Sequence, residues 1–156
     1  MTIVEVMDNL KAELEKVVQE YHTDQPSGIW PIAVYAGFPP ERISSEEGKS
    51  FIYCLVHNWE DSDNVNYSTV DVEIGFSIYD EDSDDGIRSL YNVMEHVRQH
   101  LLSNTIIAGR NALKLPLKGT VSKQQPYPNW LGVITATYSI GQPEAFGGYY
   151  GNENNF

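Results

Sequence analysis

The chain has few basic residues, almost no cysteine and no long apolar run, and each shortage excludes something. Ten Lys and Arg stand against twenty-two Asp and Glu, for a net charge of −12. Between Lys49 and Arg88 there is no Lys or Arg, while Glu60, Asp61, Asp63, Asp71, Glu73, Asp80, Glu81, Asp82, Asp84 and Asp85 fall in that interval. Nucleic-acid backbones and anionic membranes are gripped by clustered Lys and Arg, so neither is an expected ligand. The one cysteine, Cys54, excludes an intrachain disulfide and points to a reducing compartment. No stretch approaches the roughly 20 apolar residues that cross a bilayer, and no basic segment followed by an apolar run opens the chain. The sequence therefore reads as a soluble, non-secreted protein. Catalytic signatures are missing too: there is no phosphate-cradling glycine loop followed by Lys, no nucleophile elbow and no paired metal-ligand cysteines. No enzymatic activity and no cofactor are expected.

What is present is an ordinary globular composition, 41% hydrophobic and 12% aromatic over 156 residues. A chain of that length removes roughly 70% of its unfolded surface from water and can hold one core unaided. The most informative stretch is 67–102. Val70, Val72, Ile74, Phe76 and Ile78 alternate with polar or small residues, the period of a strand with one buried face. An acidic knot follows (Asp80, Glu81, Asp82, Asp84 and Asp85), closed by Gly86. The period then becomes helical, with Ile87, Leu90, Tyr91, Met94, Val97 and Leu101 near one face.

The rest of the chain follows the same logic. Residues 2–21 carry a helical stripe from Ile3 to Tyr21, and Thr2 and Glu5 have the spacing of a capping box. Residues 29–36 read as an edge strand because Pro31 removes a ladder donor. Residues 51–59 form a second strand, joined by a short polar link to the long third one, so these two should pair antiparallel. Residues 103–111 read as a loop, 113–121 as a strand interrupted by Pro116, 122–129 as a projecting loop or arm with Pro126 and Pro128, and 130–140 as a last strand. The expected fold is α+β: a mainly antiparallel five-stranded sheet covered on one face by two helices, in the order α-β-β-β-α-β-β. Residues 1–145 form the single domain. Residues 146–156 form a Gly, Tyr and Asn-rich tail that cannot fold alone, with Tyr149 and Tyr150 as anchors if it orders against a neighbour.

Several residues invite a chemical reading. Asp80, Asp82 and Asp84 alternate as in a calcium-binding loop, but the sixth position would be Asp85 rather than Gly and the twelfth Tyr91 rather than Glu. A solvated turn whose carboxylates favour the start of the next helix explains both position and composition. His96 and His100 have a spacing that can place two imidazoles on one metal, yet Val97 stands where a zincin has Glu. They read as surface histidines flanking Arg98. Cys54 and His57 point to opposite faces of a strand and cannot act as nucleophile and base. Trp30, Trp59, Tyr127, Trp130, Tyr149 and Tyr150 lie at strand ends, in loops and in the tail, where aromatic side chains serve as core margins or as protein contacts.

The order of elements also resembles a family. A long strand ending in Ile78, Tyr79 and Asp80, a helix opened by Gly86 with Leu90, Met94 and Val97, a strand broken at Leu115, Pro116 and Leu117, and a closing strand led by Pro128, Asn129, Trp130, Leu131 and Gly132 resemble the tail terminator and tail-completion proteins of long-tailed bacteriophages and prophages. The resemblance spans roughly residues 50 to 145. It implies a structural virion protein of the tail-neck region, assembled in the host bacterial cytoplasm as a ring, typically a hexamer. Its implied partners are its own copies, the tail tube protein and the head completion or connector protein, with no catalysis, cofactor, metal or membrane. Six copies at −12 each would carry −72, a charge that lets DNA pass without sticking. On this reading Asp71, Glu73, Asp80 and Asp82 are candidates for the channel, and Tyr127, Trp130, Tyr149 and Tyr150 for partner contacts. An acidic inhibitor that imitates DNA, or another neck adaptor, would use the same charge.

Overall fold

A computed structural model describes residues 2–24, 31–39, 49–63 and 68–141. The first helix, α1 (Ile3–Asp24), starts where the capping box places it. The Thr2 amide donates to Glu5 Oε1 at 2.8 Å, and the Glu5 amide donates to Thr2 Oγ1 at 3.1 Å. Two orphan donors of the first turn are thereby satisfied. Its buried stripe is Val6, Leu10, Leu14, Val17, Val18 and Tyr21.

The strands are β1 (Ile32–Ala36), β2 (Ser50–Glu60), β3 (Thr69–Tyr79), β4 (Ile106–Ile107), β5 (Asn111–Val121) and β6 (Asn129–Ser139), and the second helix, α2 (Gly86–Ser103), lies between β3 and β4. They form one six-stranded sheet in the order β1-β2-β3-β6-β5-β4. The α+β class stands, but five antiparallel strands become six in a mixed sheet. Two differences account for this. The 103–111 segment, expected as a loop, contains β4, whose two residues pair with Asn111 and Ala112 and are too short to leave a period. The edge strand β1 runs parallel to β2, from Ile32 opposite Ser50 to Ala36 opposite Cys54. A parallel pair needs a link of a dozen or more residues, which residues 37–49 supply.

The long strand behaves as its alternation demands. Val70, Val72, Ile74, Phe76 and Ile78 are at most 2% exposed and meet α1 and α2. β3 pairs antiparallel with β2 on one side and with β6 on the other, the latter through eleven partners from Thr69 opposite Ser139 to Tyr79 opposite Asn129. The core lies between this face and the helices, with Ile52, Cys54, Ile134, Ala136 and Tyr138 completing it. Cys54 is fully buried, and desolvation pushes its thiol pKa up to about 12, the behaviour of a core residue.

On α2 the buried residues are Gly86, Leu90, Val93, Met94, Val97 and Leu101. Val93 replaces Tyr91 in the expected stripe, and Tyr91 stands 50% exposed. The histidines are also differently placed. They turn toward α1 rather than to solvent: His100 Nε2 lies 2.9 Å from Glu13 Oε1, and the His96 ring meets Tyr21 edge-on with centroids 4.8 Å apart. No element covers the opposite face of the sheet among the described residues.

Candidate partner-binding surfaces

The acidic knot is a built turn. Asp80 Oδ1 accepts the Asp82 amide at 2.9 Å, and Asp82 Oδ1 accepts the amides of Asp84 and Asp85 at 2.9 and 3.1 Å. Asp80 Oδ2 accepts the Ser89 hydroxyl at 2.6 Å, which locks the turn to the first turn of α2. The carboxylates thus brace the turn that leads into the helix, while Asp85 at its N-cap makes no side-chain capping bond. Glu81 and Asp82 to Asp85 remain exposed around this frame.

The hairpin between β5 and β6 is folded onto the same turn and is not an arm. The Trp130 Nε1 donates to the Asp80 carbonyl at 2.9 Å, the Tyr127 hydroxyl donates to the Glu81 carbonyl at 2.7 Å, and the Asp80 amide donates to the Pro128 carbonyl at 3.0 Å. Gln125 closes the hairpin by accepting the Leu131 amide at 2.6 Å and donating to the Ser122 carbonyl at 2.7 Å. A Cβ at Gly86 would fall 2.2 Å from the Trp130 indole, so glycine opens this helix because the ring lies against it. Trp130 is a half-buried strut, and Tyr127, 55% exposed and edge-on to it, is the side chain a partner could reach. The structure brings Asp80, Asp82, Tyr127 and Trp130 into one cluster. Tyr149 and Tyr150 lie outside the described residues.

Asp71 and Glu73 sit elsewhere, on the helix-free face of β3. Asp71 accepts from Thr137 Oγ1 at 2.6 Å and from Asn58 Nδ2 at 2.8 Å, and these bonds hold its carboxyl below the usual carboxylate range. Glu73 Oε2 accepts from the Tyr53 hydroxyl at 2.6 Å. Desolvation, and then the Glu73 carboxylate beside it, push the Tyr53 pKa up to about 12. The Tyr53 ring in turn lies over Gly75, whose missing Cβ would be 2.1 Å from the ring. The face is therefore an ordered hydrogen-bonded surface in which both carboxylates are fixed in position. Among the described residues no group of three or more His, Cys, Asp or Glu side chains is placed to hold a metal ion.

One feature was missed by a reading centred on acids. From His96 to Pro143 there are five basic residues, Arg98, Arg110, Lys114, Lys118 and Lys123, and no acidic one. Four of these lie on β5 or its flanking turns, two strands away from the acidic β3. Lys114 shares a cross-strand row with Thr137 and Asp71, and Lys118 one with Thr135 and Glu73. The signal in the sequence was the absence of acids over this interval, the mirror image of the absence of bases before it.

No family model matches the chain, and comparison with curated proteins gives no match. Among solved structures, one whose description states no activity is 14% identical, with a TM-score of 0.51 over 87% of this chain and 96% of its own. That likeness concerns the fold alone. A second is the sheath/tube terminator, in the extended state, of an extracellular contractile injection system of the PVC type. It is 13% identical, with a TM-score of 0.41 over 92% of this chain and 57% of its own. No helix among the described residues is long and apolar enough to cross a membrane.

Proposed function

We propose that the protein is a non-catalytic structural subunit that closes into a ring on the end of a phage-like tail tube, stops tube polymerisation and forms the joint to the head connector. The observation that carries this reading is the division of charge across the sheet. Across the sheet, Asp71 and Glu73 lie on β3 and Asp80, Glu81, Asp82, Asp84 and Asp85 on the turn that follows it, while Arg110, Lys114, Lys118 and Lys123 lie on β5 and its flanks, which carry no acid. Unlike charges at separate places on one subunit favour a head-to-tail contact when each copy offers the next a complementary surface. Head-to-tail contacts generate rings when the rotation closes.

In such a ring the net charge of every copy remains negative, so the assembly keeps an acidic surface for its lumen. Asp71 and Glu73 suit that position because their hydrogen bonds hold both carboxylates in place on a face that no helix covers. The resemblance carried by residues 50 to 145 supplies the tail neck as the setting, with the tube protein and the head connector as partners. The sheath/tube terminator overlap, at a TM-score of 0.41, is a likeness of architecture and adds nothing further.

The test is electron microscopy of the purified protein, alone and mixed with tail tubes, beside sedimentation at two salt concentrations. Rings that cap tubes and fix their length are expected. Raising salt from 0.1 to 1 M shortens the screening length from about 10 to about 3 Å and should loosen the ring. Lys114→Glu with Lys118→Glu should do the same at low salt. A strict monomer without effect on tube length would overturn the proposal, and so would a monomer that competes with DNA for a basic protein. In assembled particles, Asp71→Lys with Glu73→Lys should reduce DNA passage and phage titre. An unchanged titre would remove those two residues from the channel.

A further inference from the structure

Beyond Leu113, whose amide donates to the Thr105 carbonyl at 2.7 Å, the outer side of β5 is unpaired among the described residues, because β4 covers only its first two residues. Beside this open edge runs a groove of about 580 Å³, between α2 and β5. Met94, Leu117, Val121 and Ile134 give it an apolar lining, and Tyr91, Glu95, Arg98 and Lys118 also line it. The groove exists because β5 carries Gly119 where a larger side chain would reach toward α2. A Cβ built there meets nothing nearer than Ile134 Cγ1 at 3.7 Å, and Met94 Cε is 4.0 Å away. Leu115, at the bulge next to Pro116, is 71% exposed on the same strand.

An open strand edge next to an apolar groove is the geometry that accepts an extended segment, with main-chain hydrogen bonds for affinity and alternate side chains in the groove. The charge around it selects the kind of segment. Within the lining Arg98 pairs with Glu95 at 3.0 Å, whereas Lys114 and Lys118, whose rows place them on the helix-free side of the same edge, and Lys123 beyond its end enter no ion pair among the described residues. A strand added there would set one row of side chains in the groove and the alternate row beside these lysines. The occupant should be acidic, aromatic and free of bases.

We propose that the groove takes residues 142–156 of a second copy of this chain, laid along the free edge of β5. That segment carries Glu144 and Glu153, no Lys or Arg, and the aromatic anchors Phe146, Tyr149, Tyr150 and Phe156. Its fifteen residues reach about 50 Å when extended. The described chain leads into it at Gly141, and β6 runs from the groove residue Ile134 toward that end. At about 3.3 Å per residue, Gly141 is some 23 Å beyond its own groove and heading away from it. Donation to a neighbour therefore needs no reversal of the chain. Calling the donor a second copy rests on the ring reading above. Occupation of the groove does not.

The experiment uses the full-length chain with Leu117→Cys and Tyr149→Cys. Cys54 can stay, since burial leaves it unreactive. Under mild oxidation a disulfide-linked ladder of copies is expected on non-reducing gels. A linked monomer would overturn donation by a second copy, and no linkage would overturn the groove assignment. In parallel, hydrogen exchange over 113–121 is followed in the native chain, in Tyr149→Ala with Tyr150→Ala, and in Gly119→Val, which fills the groove where the backbone leaves room. Exchange at the β5 edge should accelerate about tenfold or more in both variants, with the β3 amides unchanged as the control for folding. Equal exchange in all three proteins would overturn the proposal even if rings form.

Discussion

The two faces of the same sheet are made by alternate residues of the same strands, and they are held by different physics. On the helix side, Val70, Val72, Ile74, Phe76 and Ile78 contribute apolar burial, non-directional and roughly 1.5–3 kcal/mol for each fully buried side chain. On the other side, Asp71, Glu73, Tyr53, Asn58 and Thr137 form a lattice of directional bonds, each net about 0.5–1.5 kcal/mol or somewhat more where a charge takes part. The first face makes the fold and would accept many apolar sequences. The second fixes particular atoms in particular places, and only the second has chemistry to show a partner.

The largest effect should come from breaking the first face. Ile74→Ala, at the centre of the core, should cost about 2–5 kcal/mol in denaturant unfolding, with no change in the pH dependence of what stability remains. Gly75→Ala is one residue along and acts on the other face. Its methyl group would displace the Tyr53 ring and break the bond to Glu73, for about 1–3 kcal/mol and a fall of the Tyr53 pKa toward its ordinary value, read by ultraviolet titration. The smallest effect belongs to Thr137→Val, which removes one of the two bonds to Asp71 and should cost about 0.5–1.5 kcal/mol.

That last variant carries a sign as well as a size. The folded pKa of Asp71 lies below its unfolded value of about 3.9, so its contribution is present above that value and lost as pH falls through the lower folded pKa. Thr137→Val should raise the folded pKa and shrink the acid-side loss, seen as a shallower drop in stability below about pH 4. Glu13, lowered chiefly by its bond from His100, adds a loss of the same sign that the variant leaves untouched.

The legibility of the chain follows the range of the forces involved. The β3 alternation and the Thr2 and Glu5 cap were readable because a period or a three-residue spacing is local. The edge placement expected for β1 holds, although Pro31 lies just before the strand and removes no donor from its ladder. The direction of β1 was not readable, because parallel pairing depends on the path of residues 37–49 and not on the strand itself. The role of Trp130 was hidden for a comparable reason: the ring rests against Gly86 and bonds to Asp80, partners some fifty residues away that no local pattern announces. The alternation placed Asp71 and Glu73 on the polar face of a strand and Asp84 in a turn, but the bonds from Thr137, Asn58 and Tyr53 that fix the first two come from other strands and leave no local pattern. The missed bases of β5 were legible in principle, since an interval without acids is as visible as one without bases.

The pairing of β3 with β6 has a consequence for how the chain reaches this state. Its eleven partners join the two central strands across all of α2, β4 and β5. The β2–β3 hairpin, by contrast, closes over a short link and can form early. Until β6 arrives, β3 presents an open backbone edge beside an apolar face of Val70, Val72, Ile74 and Phe76, the kind of surface on which nascent chains stick to one another. The charges of Asp71 and Glu73 sit on that edge from the start and repel a second copy in register. The same two carboxylates that face outward in the finished subunit can thus guard it during synthesis, at the stage when its most apolar strand has no neighbour.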